Sequence, residues 1–170
     1  MFNYLPRITR IIPAVIASSL LGAAAQADAL TSNFSYRIVQ PAADGGEELI
    51  ERSSVRPGEV IQYRIRHENV SDEGLSGIVV MARVPQGASM TFGAQSTSVP
   101  AVFEVQAEMD PEQDGLEWSS LPAMRRVAGA DGRMTQEPLP ESEVTAVRWV
   151  LTEPLPAGES ALNTYRVRVN

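Results

Sequence analysis

A chain of 170 residues, 44% hydrophobic and 21% charged, carries enough apolar side chains for one domain with a sizeable core, which excludes a disordered tail. With 14 basic against 21 acidic residues the net charge is −7, and that acidic balance argues against a nucleic-acid partner. There is no cysteine, so disulfides and thiol chemistry are excluded, and a single histidine rules out a histidine-rich zinc site.

Residues 1–27 hold Arg7, Arg10 and no acid, then an apolar run over 11–21, then small residues ending in Ala25-Gln26-Ala27. This is the pattern of a secretory signal peptide with an A-x-A cleavage site. The run is too short to cross a bilayer core of roughly 30 Å, so a soluble, exported protein over residues 28–170 is expected, in the periplasm or outside the cell. Removing the signal leaves 12 arginines against 21 acids, a net of 12 − 21 = −9.

From Ser32 the chain alternates with a period of two, which sends successive side chains to opposite faces of a strand. Phe34, Tyr36 and Ile38 share one face. The segment 42–46 (Ala-Ala-Asp-Gly-Gly) breaks the pattern as a loop, and a short strand is expected over 49–52. Pro57-Gly58 makes a turn, Pro57 presetting φ and Gly58 supplying a positive φ. It opens a clear strand over 60–66, with Ile61, Tyr63 and Ile65 on one face and Gln62, Arg64 and Arg66 on the other.

After a polar loop over 69–77, Ile78, Val80, Ala82 and Val84 form the inner face of the next strand, closed by Pro85-Gln86-Gly87. Residues 87–100 are weakly patterned and polar. Phe103 and Val105 mark another strand, Leu116 and Trp118 a short one, and 123–127 its expected partner. The prolines at 138 and 140 make 134–142 a non-strand connection. The final stretch, 144–169, alternates on both sides of Pro154-Leu155-Pro156-Ala157-Gly158 and reads as a closing hairpin. Its Val147, Trp149 and Leu151 share one face, as do Tyr165, Val167 and Val169, while Arg148, Arg166 and Arg168 point outward.

No segment has a capped, helix-period apolar pattern. Seven to eight short strands between Gly/Pro turns predict an all-β fold, an antiparallel immunoglobulin-like β-sandwich, with a closed barrel as the alternative. Three phrases, RPGEVIQYRIRHEN at 56–69, IVVMARVPQGASM at 78–90 and VRWVLTEPLPAGESALNTYRVRV at 147–169, carry a family likeness. Through Pro57, Gly58, Tyr63, Ile65 and Asn69, then Val84, Pro85 and Gly87, then Leu155, Gly158, Glu159 and Ser160, the chain resembles the DUF11-type domain of exported bacterial proteins. The resemblance implies an immunoglobulin-like fold and an envelope or extracellular setting, and brings no catalytic residues. Relative to the minimal domain, residues 102–147 form a long middle insertion.

Three places invite a site. Asp110, Glu112 and Asp114, followed by Gly115, imitate the first oxygen ligands of a calcium loop, although Leu121 stands where a bidentate Glu is required. Trp118, beside this acidic loop, is the aromatic expected at the surface, where it can stack on a ligand, whereas Tyr63, Trp149 and Tyr165 belong to the core. His67 and Glu68 alternate to opposite faces and cannot act as a base and its orienter. Neither G-x-S-x-G nor a phosphate-binding glycine motif occurs. The leading expectation is a non-enzymatic structural or interaction module that engages an envelope protein or surface polymer. The alternatives are a small carbohydrate- or calcium-binding module and, with far less in its favour, an acid/base hydrolase working through two carboxylates.

Overall fold

The computed structural model describes residues 29–170, and the expected signal peptide lies outside the described residues. Among them are eleven strands and one short 3-10 turn (Glu141–Glu143), and no α-helix. The strands are β1 (Leu30–Pro41), β2 (Glu47–Ile50), β3 (Val60–Asn69), β4 (Val79–Arg83), β5 (Ala88–Thr97), β6 (Ala101–Ala107), β7 (Glu117–Ser120), β8 (Met124–Ala128), β9 (Met134–Pro138), β10 (Ala146–Leu151) and β11 (Ser160–Val169). All pairings are antiparallel. A five-stranded sheet has the order β2-β1-β3-β11-β5, a four-stranded sheet the order β4-β10-β6-β7, and β8 with β9 forms a separate ribbon.

The period-two pattern supplies the core. Ile61 and Ile65 of β3, Ala161, Tyr165 and Val167 of β11, and Met90 of β5 point inward from the larger sheet. Val80 of β4, Val105 of β6, and Val147, Trp149 and Leu151 of β10 meet them from the smaller one, in one continuous cluster. Trp149 is the central contact. Its ring lies 5.2 Å from Phe103 and 6.1 Å from Tyr165, so it links β10 and β6 of one sheet to β11 of the other.

Five expectations are corrected. The stretch 144–169 is not a hairpin, because β10 and β11 belong to different sheets and the segment between them carries the chain from one to the other. In that segment Leu155 is buried and exchanges backbone hydrogen bonds with Leu75 at 2.8 and 2.9 Å, which makes the connection an anchored crossing. The polar stretch 87–100 contains β5, a ten-residue strand paired along β11 with a register shift between Thr164 and Arg166. Segment 123–127 does not pair with the Trp118 strand: β7 pairs with β6, and β8 pairs with β9 (Met134–Pro138), a strand inside the stretch 134–142 expected to be a non-strand connection. Pro138 is tolerated because it ends a strand at the margin of a two-stranded ribbon. With these additions the strands number eleven, against the expected seven to eight.

Gly58 takes the positive φ read for it, and two further turn glycines do the same. Gly58, Gly87 and Gly158 have φ of 84°, 77° and 72°, a region L side chains rarely adopt, and each sits at the turn that its proline begins. Asn69, fully buried at the end of β3, closes the sheet-crossing segment. Its Nδ2 donates to the carbonyls of Glu73 (2.7 Å) and Leu155 (2.9 Å), and its Oδ1 accepts from the Ser71 amide (3.0 Å) and hydroxyl (2.7 Å).

Candidate functional site

The two facing sheets differ in width, and the difference exposes aromatic surface. Phe34, Tyr36 and Ile38 all face inward from β1, yet only Ile38 is buried. Phe34 is 58% exposed and Tyr36 37%, because both lie beyond β4, where the smaller sheet ends. Phe34 stacks on Tyr63 at 5.3 Å, Tyr63 stacks on Tyr165 at 5.0 Å, and Tyr165 leads to Trp149. A row of aromatic rings thus runs from the core out to an open ledge. The ledge continues into a cleft of about 430 Å³ lined by Phe34, Tyr63, His67, Met81, Arg83 and Pro85 among others.

The strand beside this cleft has a free edge. Among the described residues β4 pairs only with β10. The Val84 amide donates to Thr145 and the Leu151 amide to Ile78, so the even-numbered residues of β4 turn their backbone groups toward β10. Val79, Met81 and Arg83 therefore direct their N–H and C=O groups away from the sheet, over the ledge. One of these groups is engaged: the Tyr165 hydroxyl donates to the Arg83 carbonyl at 3.1 Å. Burial pushes the Tyr165 phenol well above its ordinary pKa and keeps it a donor.

The other edges are blunted. β2 and β7 are four residues each, and the acidic Glu47 and Glu48 stand on β2. At β5, the carboxylate of Glu141 accepts the Phe92 amide at 2.6 Å, so the 3-10 turn covers that margin. Arg83, at the rim of the cleft, has no hydrogen-bonded or ionic partner for its guanidinium among the described residues.

His67 lines the same cleft from β3, half-buried, with Nδ1 buried and unpartnered. Burial pushes its pKa below the ordinary range. Glu68 points to the opposite face and lies 3.7 Å from Arg66. The two do not meet, as the alternation predicts.

The acidic loop is built around an arginine. Arg126 of β8 lies 2.7 Å from Asp110 and 2.9 Å from Glu112, and Asp110 also accepts from the Glu112 amide (3.1 Å) and from Gln113 Nε2 (3.2 Å). The Arg126 hydrogen bond is the largest influence holding the Asp110 carboxyl below the usual carboxylate range. Asp114 is exposed and does not join them. Among the described residues no group of three or more His, Asp or Glu is arranged to hold a metal ion. Trp118, half-buried on β7, carries the Arg148 guanidinium 4.3 Å from its ring centroid, and Arg148 in turn pairs with Glu104 at 2.7 Å. One face of its ring is thus occupied by a neighbour on its own sheet. The exposed aromatics are Phe34 and Tyr36, which periodicity alone assigns to the apolar face with Ile38.

Compared with family models, curated proteins and solved structures, the chain matched none.

Proposed function

We propose that the chain is an exported, non-enzymatic interaction module of the bacterial cell envelope, an immunoglobulin-like β-sandwich of the DUF11 type, and that it binds an extended segment of a partner protein along β4. The observation that carries this reading is the outward backbone of Val79 and Met81, with the outward amide of Arg83, beside the uncovered rings of Phe34 and Tyr36. An added strand satisfies those backbone groups and lays alternate side chains on the rings. The free guanidinium of Arg83 at the rim favours a segment that carries an acidic residue there. The signal peptide read at 1–27 supplies the envelope setting. The glycine turns at 58, 87 and 158 are in keeping with the DUF11 resemblance.

The test is photocrosslinking in cells, with a photoreactive residue at position 34 or 79 and a control at position 91 on β5, the opposite margin of the five-stranded sheet. Adducts to an envelope protein are expected at 34 and 79. They should disappear with Met81→Pro, which removes an outward amide and leaves the β4–β10 ladder intact, and weaken with Phe34→Ser. Equal adducts at 91, or adducts indifferent to both substitutions, would refute strand addition at β4.

A further inference from the structure

The outward face of the five-stranded sheet holds a second feature, independent of the β4 edge. Of the twelve arginines among the described residues, Arg56, Arg64 and Arg83 have no side-chain hydrogen bond or ion pair there. Arg56 and Arg83 are exposed, where water serves them. Arg64 is half-buried near the middle of the sheet, across from Ser35 of β1 and Thr164 of β11. A guanidinium presents five donors in a planar fork, and partial burial without an acceptor leaves much of that capacity unused.

The neighbouring arginines show how this face normally treats its charges. Arg166 reaches Glu47 at 2.7 Å and Gln62 at 2.9 Å, Arg37 pairs with Glu51, and Arg168 donates to the Gly58 carbonyl at 3.2 Å. Arg64 alone has nothing comparable, although the chain carries 21 acids. Around it lies a pocket of about 270 Å³ lined by Asn33, Ser35, Arg64, Arg66, Ser160 and Leu162. Arg66 donates to the Ser160 hydroxyl at 3.0 Å, which holds that second guanidinium at the pocket wall. Thr164 adds no free donor, because its hydroxyl is bound to Ser96 at 2.7 Å.

We propose that this pocket is a binding site for the carboxylate of an acidic sugar within an envelope polysaccharide. The fork of Arg64 takes the carboxylate through two parallel N–H···O bonds. Arg66 adds a second positive charge, Ser35 and Asn33 provide neutral donors and acceptors for ring hydroxyls, and Leu162 offers the one apolar surface against which a sugar's C–H face rests. Glu68, 3.7 Å from Arg66, stands at the margin of the patch and leaves Arg64 as its unpaired charge among the described residues.

The test uses the protein of residues 28–170, uniformly 15N-labelled, titrated with a galacturonate tetramer and separately with inorganic phosphate. Expected are saturable amide shifts centred on Ser35, Arg64, Arg66 and Ser160 with the tetramer. Arg64→Gln should weaken binding at least about tenfold, the equivalent of one charge-assisted bond, and Arg64→Lys by nearly as much because the fork is lost. Since the Arg64 side chain bonds to nothing among the described residues, both variants should retain the native spectrum elsewhere, and Arg66→Gln provides a second reading with a smaller loss. Shifts with phosphate alone would overturn the sugar assignment. No saturable shift with the tetramer, or shifts unchanged in Arg64→Gln, would overturn the site. Loss of binding here leaves crosslinking at β4 untouched, so the two readings fail separately.

Discussion

Two asparagines, both fully buried, are predicted to respond to truncation with opposite signs. Asn163 points into the core from β11, between Ala161 and Tyr165 and opposite Ile65 and Thr97, and neither its Oδ1 nor its Nδ2 has a hydrogen-bond partner. A buried polar group left unmet costs about 1–3 kcal/mol, and one amide here holds two. Asn163→Val removes both and places a β-branched residue in an interior strand, where it packs well. Allowing for repacking, stability should rise by about 1–3 kcal/mol, or by roughly 3–8 °C in Tm for a domain of this size. Asn69 is the control. Its amide makes four hydrogen bonds that tie β3 to the 71–73 turn and to Leu155, so Asn69→Ala should cost about 2–4 kcal/mol. Urea unfolding followed by tryptophan fluorescence reports both, with m unchanged if the transition stays two-state. A loss of more than about 1 kcal/mol in Asn163→Val would show that the native amide is bonded, and would refute the reasoning.

The pH response has two windows. Burial lowers the folded pKa of His67, so the unfolded chain takes up the proton first. The stability present above about pH 6.5 is then lost as pH falls from there toward the lower folded value, and His67→Gln should flatten that limb of a Tm-versus-pH curve. Hydrogen bonds from arginine are the leading cause that lowers Glu59, Asp110 and Glu47, and their contribution, present above about pH 4, is lost as pH falls through the depressed values. Asp110→Asn should make that acid limb shallower. Arg148→Ala removes both the ring contact with Trp118 and the pair with Glu104, with an expected loss of about 1 kcal/mol and a shift in the Trp118 emission. Because Arg126 already bridges Asp110 and Glu112, millimolar calcium should leave the Tm unchanged, and a rise on adding calcium would refute that reading of the loop.

Where apolar residues alternate strongly, as at Ile61, Tyr63 and Ile65 or Val147, Trp149 and Leu151, strand and inward face were both legible in the sequence. β5 was not, because its partner β11 supplies most of the pairing while β5 itself brings only Met90 and Phe92 among Ser, Thr, Gly and Gln. Its hydrogen bonds, not its side chains, make it a strand. The 144–169 stretch erred for another reason. Alternation says which way a residue faces within its sheet, but nothing in a period of two says which sheet a strand joins. Leu155 held the clue, since an apolar residue between two prolines in a hairpin tip would be exposed, and here it is buried as the anchor of a crossing.

The aromatic ledge escaped the sequence on the same grounds. Periodicity groups Phe34 and Tyr36 correctly with Ile38, but a residue on the inward face becomes core only if the opposing sheet extends over it. That extent depends on how many strands the smaller sheet holds on its β4 side, a long-range property set by pairings such as Ala146 with Arg83 and Val150 with Val79, 146 − 83 = 63 and 150 − 79 = 71 residues apart. At Trp118 the converse holds: another strand of its sheet brings Arg148 to it, with the guanidinium 4.3 Å from the ring centroid. What separates the two cases is the neighbouring strand. β7 has β6 beside it and β10 beyond, which brings a long arginine to the ring, whereas among the described residues no strand lies past β4 to bring anything to Phe34. The surface proposed for binding thus lies where a sheet stops short, and the test at Met81 bears on that edge directly.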